Sequence, residues 1–282
     1  MLFYHFVHKK YKNMEQKGFT FRFKDQELNF IKMYEETQAQ IVFKGMAIAT
    51  VDFFTHAIIN SACNIDDAFN KMVQDENYLC AIPLIRMQLD NALMTWAFLI
   101  CSNESKFFNT LLEGKEVNQL KVSWESLDYF GVTKELATEK GINFKPKEQL
   151  LTNRFLYETL NLIYDGTTEL YKKCCTYVHP SASILKAALF TQVEDQIKIK
   201  GWEETKPYGY TCEEIVGDYI KANATLLALL ERVKALKEYN VMLYQKIQNG
   251  ETIPKEMANG ITVASKEEAL KTMDLLRHKE EK

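Results

Sequence analysis

Apolar residues recur at steps of three and four along most of this chain, the spacing of amphipathic helices rather than of strands. From Asp25 to about Ser61, Leu28, Ile31, Ile41, Met46, Ala49, Phe53 and Ala57 fall near one stripe, which predicts a long helix. Asn64, ahead of "IDDAFNKMVQ", reads as the cap of a separate short helix. Residues 79–102 are the most apolar run, and Pro83 marks either its firm start or a kink. "NESKFFNTLLEG" and "TKELATEKG" predict short helices closed by Gly114 and Gly141, and "EQLLTNRFLYETLNLIYDG" another closed by Gly166. Thr167 suits the cap of the next helix, which should stop at His179 because the residue before Pro180 avoids the α region.

"SILKAALF" predicts one more short helix, and "EDQIKIKGWEE" alternates weakly, which predicts a minor extended segment near residues 193–203. Thr211 to Glu214 has the capping-box pattern and opens a long helix to about Asn249. Ile215, Tyr219, Ala222, Leu226, Leu230 and Val233 step along it. A second capping box, Ser265 to Glu268, predicts a charged C-terminal helix.

Composition sharpens this picture. Only 11 glycines and 5 prolines in 282 residues leave few breakers, so the fold class is all-α: a multi-helix bundle with long antiparallel helices. Residues 1–24 read as an aromatic and basic extension, 25–250 as the bundle, and 251–282 as a helical tail on a link loosened by Pro254 and Gly260. A net charge of −3 demands neither a nucleic-acid nor a membrane partner, and leaves local basic patches open.

Residues 78–101 resemble a membrane span in apolar content, yet carry Arg86, Gln88, Asp90 and Asn91 near the middle. A charge at the bilayer centre costs about 2.5–3.5 kcal/mol, so a buried helix with a polar stripe is expected, and no membrane partner. The six cysteines form no C-x-x-C pairs, and "MLFYHFVHKKYK" has too short an apolar run for a secretory leader. Both features predict free thiols in the cytoplasm.

Two places carry candidate chemistry. Arg86 and Asp90 are four apart on the most apolar helix and can pair on one face. They read either as a phosphate- or ligand-facing stripe or as a structural pair that fixes helix register. In "LYKKCCTYVHPSAS", Tyr171, Cys175 and His179 share a face at steps of four, with Lys172 on the same side and Lys173 rotated away. At a helix C-terminus the backbone carbonyls favour imidazolium, so His179 suits proton transfer or simply binds those carbonyls. A metal site at Cys175 and His179 lacks two further ligands, so no metal is expected. A Cys–His nucleophile has only the nearby lysines to activate it. Phosphate or RNA chemistry remains, with a lysine holding phosphate and His179 moving a proton. Asp52 with His56, and Arg154 with Glu158, read as solvated or packing pairs.

"LIRMQLDNALMTWAFL" followed by "LYKKCCTYVHPSAS" resembles a group of bacterial all-helical proteins of unknown function. Their pattern is an Arg-x-x-x-acid pair on an apolar helix, then a helix ending in Tyr…Val-His-Pro/Ser, and they are similar to the wider HEPN superfamily. The resemblance covers residues 25 to 245. It implies a HEPN-like cytoplasmic homodimer of bacterial stress or defence, associated with RNA or a nucleotide. Active HEPN proteins are metal-independent RNases with an Arg-x4-6-His motif, whose arginine holds phosphate while the histidine assists attack by the 2′-OH.

His179 takes the histidine's place. The arginine's place falls near Lys172 or Lys173, which keep the charge but lose the planar fork. Arg86 can replace it only if the fold brings it close. His179 and Arg86 are therefore the catalytic candidates, and Lys172, Lys173, Asp90 and Tyr171 the substrate-binding ones, with no cofactor. Two other readings stay open: a non-catalytic dimeric scaffold, and a small-ligand bundle in which Arg86 meets an acidic group near Trp96 and Tyr171.

Overall fold

The computed structural model describes residues 29–33, 49–101, 104–122, 127–128, 130–142, 150–179, 182–193, 196–199, 201, 207 and 209–249. The fold is all-α. Its helices are α1 (Ala49–Gln74), α2 (Tyr78–Ile100), α3 (Glu104–Leu112), α4 (Lys134–Glu139), α5 (Asn153–Asn161), α6 (Thr167–Val178), α7 (Ala182–Leu189) and α8 (Cys212–Gln248). Between α7 and α8 lies an antiparallel ribbon of β1 (Phe190–Val193) and β2 (Gln196–Ile199), with Phe190 opposite Ile199 and Val193 opposite Gln196. The weakly alternating stretch thus forms a strand. Phe190, expected to end α7, begins its partner.

One expected break does not occur. Asn64 caps no new helix, because α1 runs through it without interruption. Phe54, Ile58, Ala62, Ile65, Phe69 and Val73 continue one buried stripe at helical steps, so packing of that stripe overrides the local cap signal. The Asn64 amide instead donates to Asn60 O at 2.9 Å within the helix. Pro83 likewise lies inside α2 rather than at its first turn. The helix starts at Tyr78, where Asn77 Oδ1 accepts the Cys80 N–H at 3.4 Å.

Other ends follow their local chemistry. Thr133 and Thr152 accept the N–H groups of Leu136 and Phe155 and so cap α4 and α5. Gly141 adopts φ +72° after α4, which lets Ile142 N–H return to Ala137 O at 2.8 Å. The Thr211 box is complete: Glu214 N–H donates to Thr211 Oγ1 at 3.2 Å and Thr211 N–H to Glu214 Oε2 at 2.8 Å. The continuations expected over residues 34–48 and 265–282, and residues 1–24, lie outside the described residues.

The chain divides into two compact units. Of the described residues, the first gathers those within 29–33, 59–91 and 169–227. Its core includes Phe30, Ala62, Ile65, Ile82, Ile85, Leu89, Ile215 and Leu226, with Phe69 stacked on Tyr219 at 3.7 Å between ring centres. Of the described residues, the second gathers those within 49–58, 92–168 and 228–249. Phe54 there stacks on Phe98 at 4.3 Å, and Phe107 stands edge-on to both at 5.7 Å. Among the described residues, no helix is long and apolar enough to cross a membrane.

Candidate functional site

The Arg86 cluster belongs to the first unit. Ile82, Ile85 and Leu89 seat α2 in the core at helical steps, and Arg86 lies at the margin of that stripe. Its stem is buried and its side chain is only 12% exposed, whereas Asp90 is 52% exposed. The guanidinium has three partners. Nη1 donates to Asp90 Oδ1, Nη2 to the Tyr171 hydroxyl, and Nε to Cys175 Sγ at 3.4 Å. Its central carbon also stands 3.7 Å from the Tyr171 ring centre. Burial opposes the charge on Arg86, but the Asp90 carboxylate and the Cys175 sulfur outweigh it and raise the guanidinium pKa further. Burial likewise pushes the Tyr171 phenol up.

α6 delivers the other half. The helix ends at Val178, and the His179 N–H still closes the last turn onto Cys175 O at 3.1 Å. His179 is exposed, one turn beyond the residue that Arg86 touches. The structure thus brings Arg86, Asp90, Tyr171 and Cys175 together, with His179 on the next turn of the same helix. The exposed Lys172 follows Tyr171 directly.

Lys173 goes elsewhere, as its rotation around the helix predicts. Its ammonium bonds Asp218 Oδ2 at 3.0 Å and lies 3.7 Å from the Tyr210 ring centre. The buried Tyr210 hydroxyl donates to the same carboxylate oxygen. Burial first, and then the Asp218 charge, drive the Tyr210 phenol far above its ordinary range and push the buried Cys174 thiol up to about 12.

The motif reading missed a buried polar network in the same unit. Asp66 Oδ1 accepts from the Tyr219 hydroxyl and from Asn223 Nδ2, both at 3.1 Å. Gln88 Nε2 donates to Asn223 Oδ1 at 2.7 Å, and Asn91 Nδ2 reaches Gln88 Oε1 and Ser61 Oγ, both at 3.1 Å. Asp66, Gln88, Asn223 and Tyr219 are each at most 1% exposed. The available signal was a polar residue abutting a core position: Asp66 after Ile65, Gln88 before Leu89, Asn223 after Ala222.

Trp96 belongs to the second unit, where its Nε1–H donates to Thr159 Oγ1 at 2.9 Å. The exposed Arg154–Glu158 pair forms as expected, at 2.8 Å. Asp52 is not solvated. It is buried and ion-paired with Lys237 of α8. Among the described residues, no three His, Cys, Asp or Glu side chains group to hold a metal ion.

Compared with known proteins, the chain matches no family model, no curated protein and no solved structure.

Proposed function

We propose that this chain is a HEPN-like, RNA- or nucleotide-acting protein of the cytoplasm, a homodimer in bacterial stress or defence. On this reading Arg86 holds phosphate and His179 moves the proton. One observation carries it: Arg86 of α2 reaches Cys175 on α6, one turn before the exposed His179. A guanidinium therefore stands in the neighbourhood where Lys172 and Lys173 left the arginine position unmatched.

Arg86 carries five N–H donors, three of which serve Asp90, Tyr171 and Cys175. Two remain to bind a phosphate oxygen pair, and the three bonds fix the plane of the fork before substrate arrives. His179 takes the proton of the RNA 2′-OH as the O2′–P bond forms. It then returns a proton to the departing O5′ as the P–O5′ bond breaks, leaving a 2′,3′-cyclic phosphate and a 5′-hydroxyl. Lys172, exposed beside Tyr171, adds positive charge for the RNA backbone.

RNA cleavage by the purified chain in EDTA tests the reading. Wild type should cleave, while His179→Ala and Arg86→Gln should each lose about a hundredfold or more. A second reading rests on the committed donors of Arg86, whose bonds tie α2 to α6 as a purely structural clamp would. Cleavage by none of the three proteins favours that scaffold. Equal cleavage by all three marks a contaminating nuclease.

A further inference from the structure

The second unit holds a cation with an unusual environment. Arg232 of α8 is half-buried beside the buried Leu229 and Val233. Its guanidinium carbon lies 5.3 Å from the Phe130 ring centre and 5.7 Å from that of Tyr164. Both distances fall within cation–π range. Among the described residues, no carboxylate pairs with it. Glu231 and Asp165, its own neighbour and that of Tyr164, are both exposed to solvent.

Each part is held from behind. Phe130 follows Leu127 in a tight turn, its N–H on Leu127 O at 3.0 Å, and Gly131 takes the φ of +80° that this turn needs. The Trp96 ring packs edge-on against Phe130 at 5.2 Å and is itself fixed by its bond to Thr159. The Tyr164 N–H donates to Leu160 O at 2.9 Å in the turn after α5. Three segments therefore converge on one guanidinium while spending none of its hydrogen-bond donors on a carboxylate.

Among the described residues, that is donor chemistry without a paired carboxylate. Aromatic neighbours stabilise the cation through its face and leave the N–H edge in the guanidinium plane. Half-burial lowers the local dielectric and strengthens any anion contact made there. The Tyr164 ring, 5.7 Å from the guanidinium carbon, carries an O–H donor of its own. A fork and a hydroxyl match the oxygens of a phosphate group.

We propose that Arg232, Tyr164 and Phe130 form a binding site for the phosphate group of a small phosphomonoester, separate in its residues from the Arg86 cluster. Arg232 supplies the bidentate contact, Tyr164 the third donor, and Phe130 the wall that fixes the guanidinium plane.

Titrating the full-length chain with inorganic phosphate by calorimetry, with acetate in parallel, tests the site. The Arg86→Gln chain, which lacks the other proposed phosphate contact, should bind one phosphate saturably and bind acetate more weakly, and the following variants are made in that background. Arg232→Gln should weaken phosphate by about tenfold or more, with Arg232→Lys intermediate. Tyr164→Phe, which deletes one oxygen and keeps the ring, should weaken it several-fold, so the test survives if the Arg232 variants unfold. Because Arg86→Gln removes the other proposed phosphate contact, the binding that persists in it belongs to Arg232, so loss of RNA cleavage and loss of this site read out separately. No saturable phosphate binding, binding unaltered in both Arg232→Gln and Tyr164→Phe, or loss in Arg86→Gln alone would overturn the proposal. Acetate binding as tight as phosphate would overturn its phosphate character.

Discussion

Arg86 on α2 donates its Nε–H to Cys175 Sγ on α6, joining positions 89 residues apart in the chain. The bond gives the two motif-bearing helices one shared side chain, and it makes different demands on stability and on activity. Asp90 is half exposed and regains water when Arg86 is removed, whereas the mostly buried Tyr171 hydroxyl loses a partner. Arg86→Gln should therefore cost only about 1–2 kcal/mol in urea unfolding, while RNA cleavage falls by a far larger factor. Equal percentage losses of fold and cleavage would instead mark Arg86 as a clamp.

The buried amides predict a larger effect. Gln88→Leu removes the donor to Asn223 and the acceptor of Asn91 and offers nothing polar in return. The variant should lose about 2–3 kcal/mol, read as a lower urea midpoint at unchanged slope. Gln88→Glu keeps the size but turns two donors into acceptors, and should be at least as damaging.

Asp52 and Lys237 form a buried pair across 185 positions. Asp52→Ala takes the buried carboxylate away from the ammonium and should cost about 3 kcal/mol or more. The joint change Asp52→Leu with Lys237→Met should recover most of that loss, and a double-mutant cycle by chemical denaturation measures the coupling.

How much of this was legible beforehand depends on the range of the signal. Helix ends governed by one or two residues were readable: the Thr211 box, and the stops at Gly141 and ahead of Pro180. The i,i+4 pairs Arg86–Asp90 and Arg154–Glu158 were readable for the same reason. The cap at Asn64 failed because the buried stripe through Phe69 and Val73 outweighs one local preference. Partners such as Asp66 and Asn223, or Lys173 and Asp218, lie 157 and 45 positions apart. Helical periodicity places each on a face but says nothing about which face it meets. The approach of Arg86 to the helix of His179 is a condition on the fold that the sequence leaves open, and its bond to Cys175 carries no local signal.

Acid should expose the capping box. The Thr211 backbone N–H holds the Glu214 carboxyl below its ordinary pKa of 4.5, with Lys173 adding to the effect. A carboxylate whose folded pKa is depressed contributes its stability above the unfolded value and loses it as pH falls through the folded one. Glu214 is exposed, so solvent screening keeps the contribution small. Glu214→Gln should lower stability slightly at pH 7, converge with wild type in acid and so flatten the acid limb below pH 4.5, as followed by circular dichroism.

Cys174 acts at the other end of the scale. Its folded pKa of about 12 exceeds the ordinary 9.0, chiefly through burial. The folded state therefore keeps the neutral thiol while the unfolded chain ionises. Its effect on stability is flat below pH 9.0 and turns unfavourable as pH rises toward 12. At pH 8, a thiol reagent should label the exposed Cys80 at once and reach Cys174 only after unfolding. Rapid labelling of Cys174 in the native protein would contradict its burial.

The amides of the first unit have a consequence for how its helices find one another. Leucine meeting leucine is nearly indifferent to a slide of one turn, about 5.4 Å. Asn223 is not, because such a slide carries it away from Asp66 and Gln88 together. Hydrocarbon burial draws α1, α2 and α8 into contact, but these side chains recognise only one alignment, so the correct pairing is written in the helices themselves and not in the loops that join them.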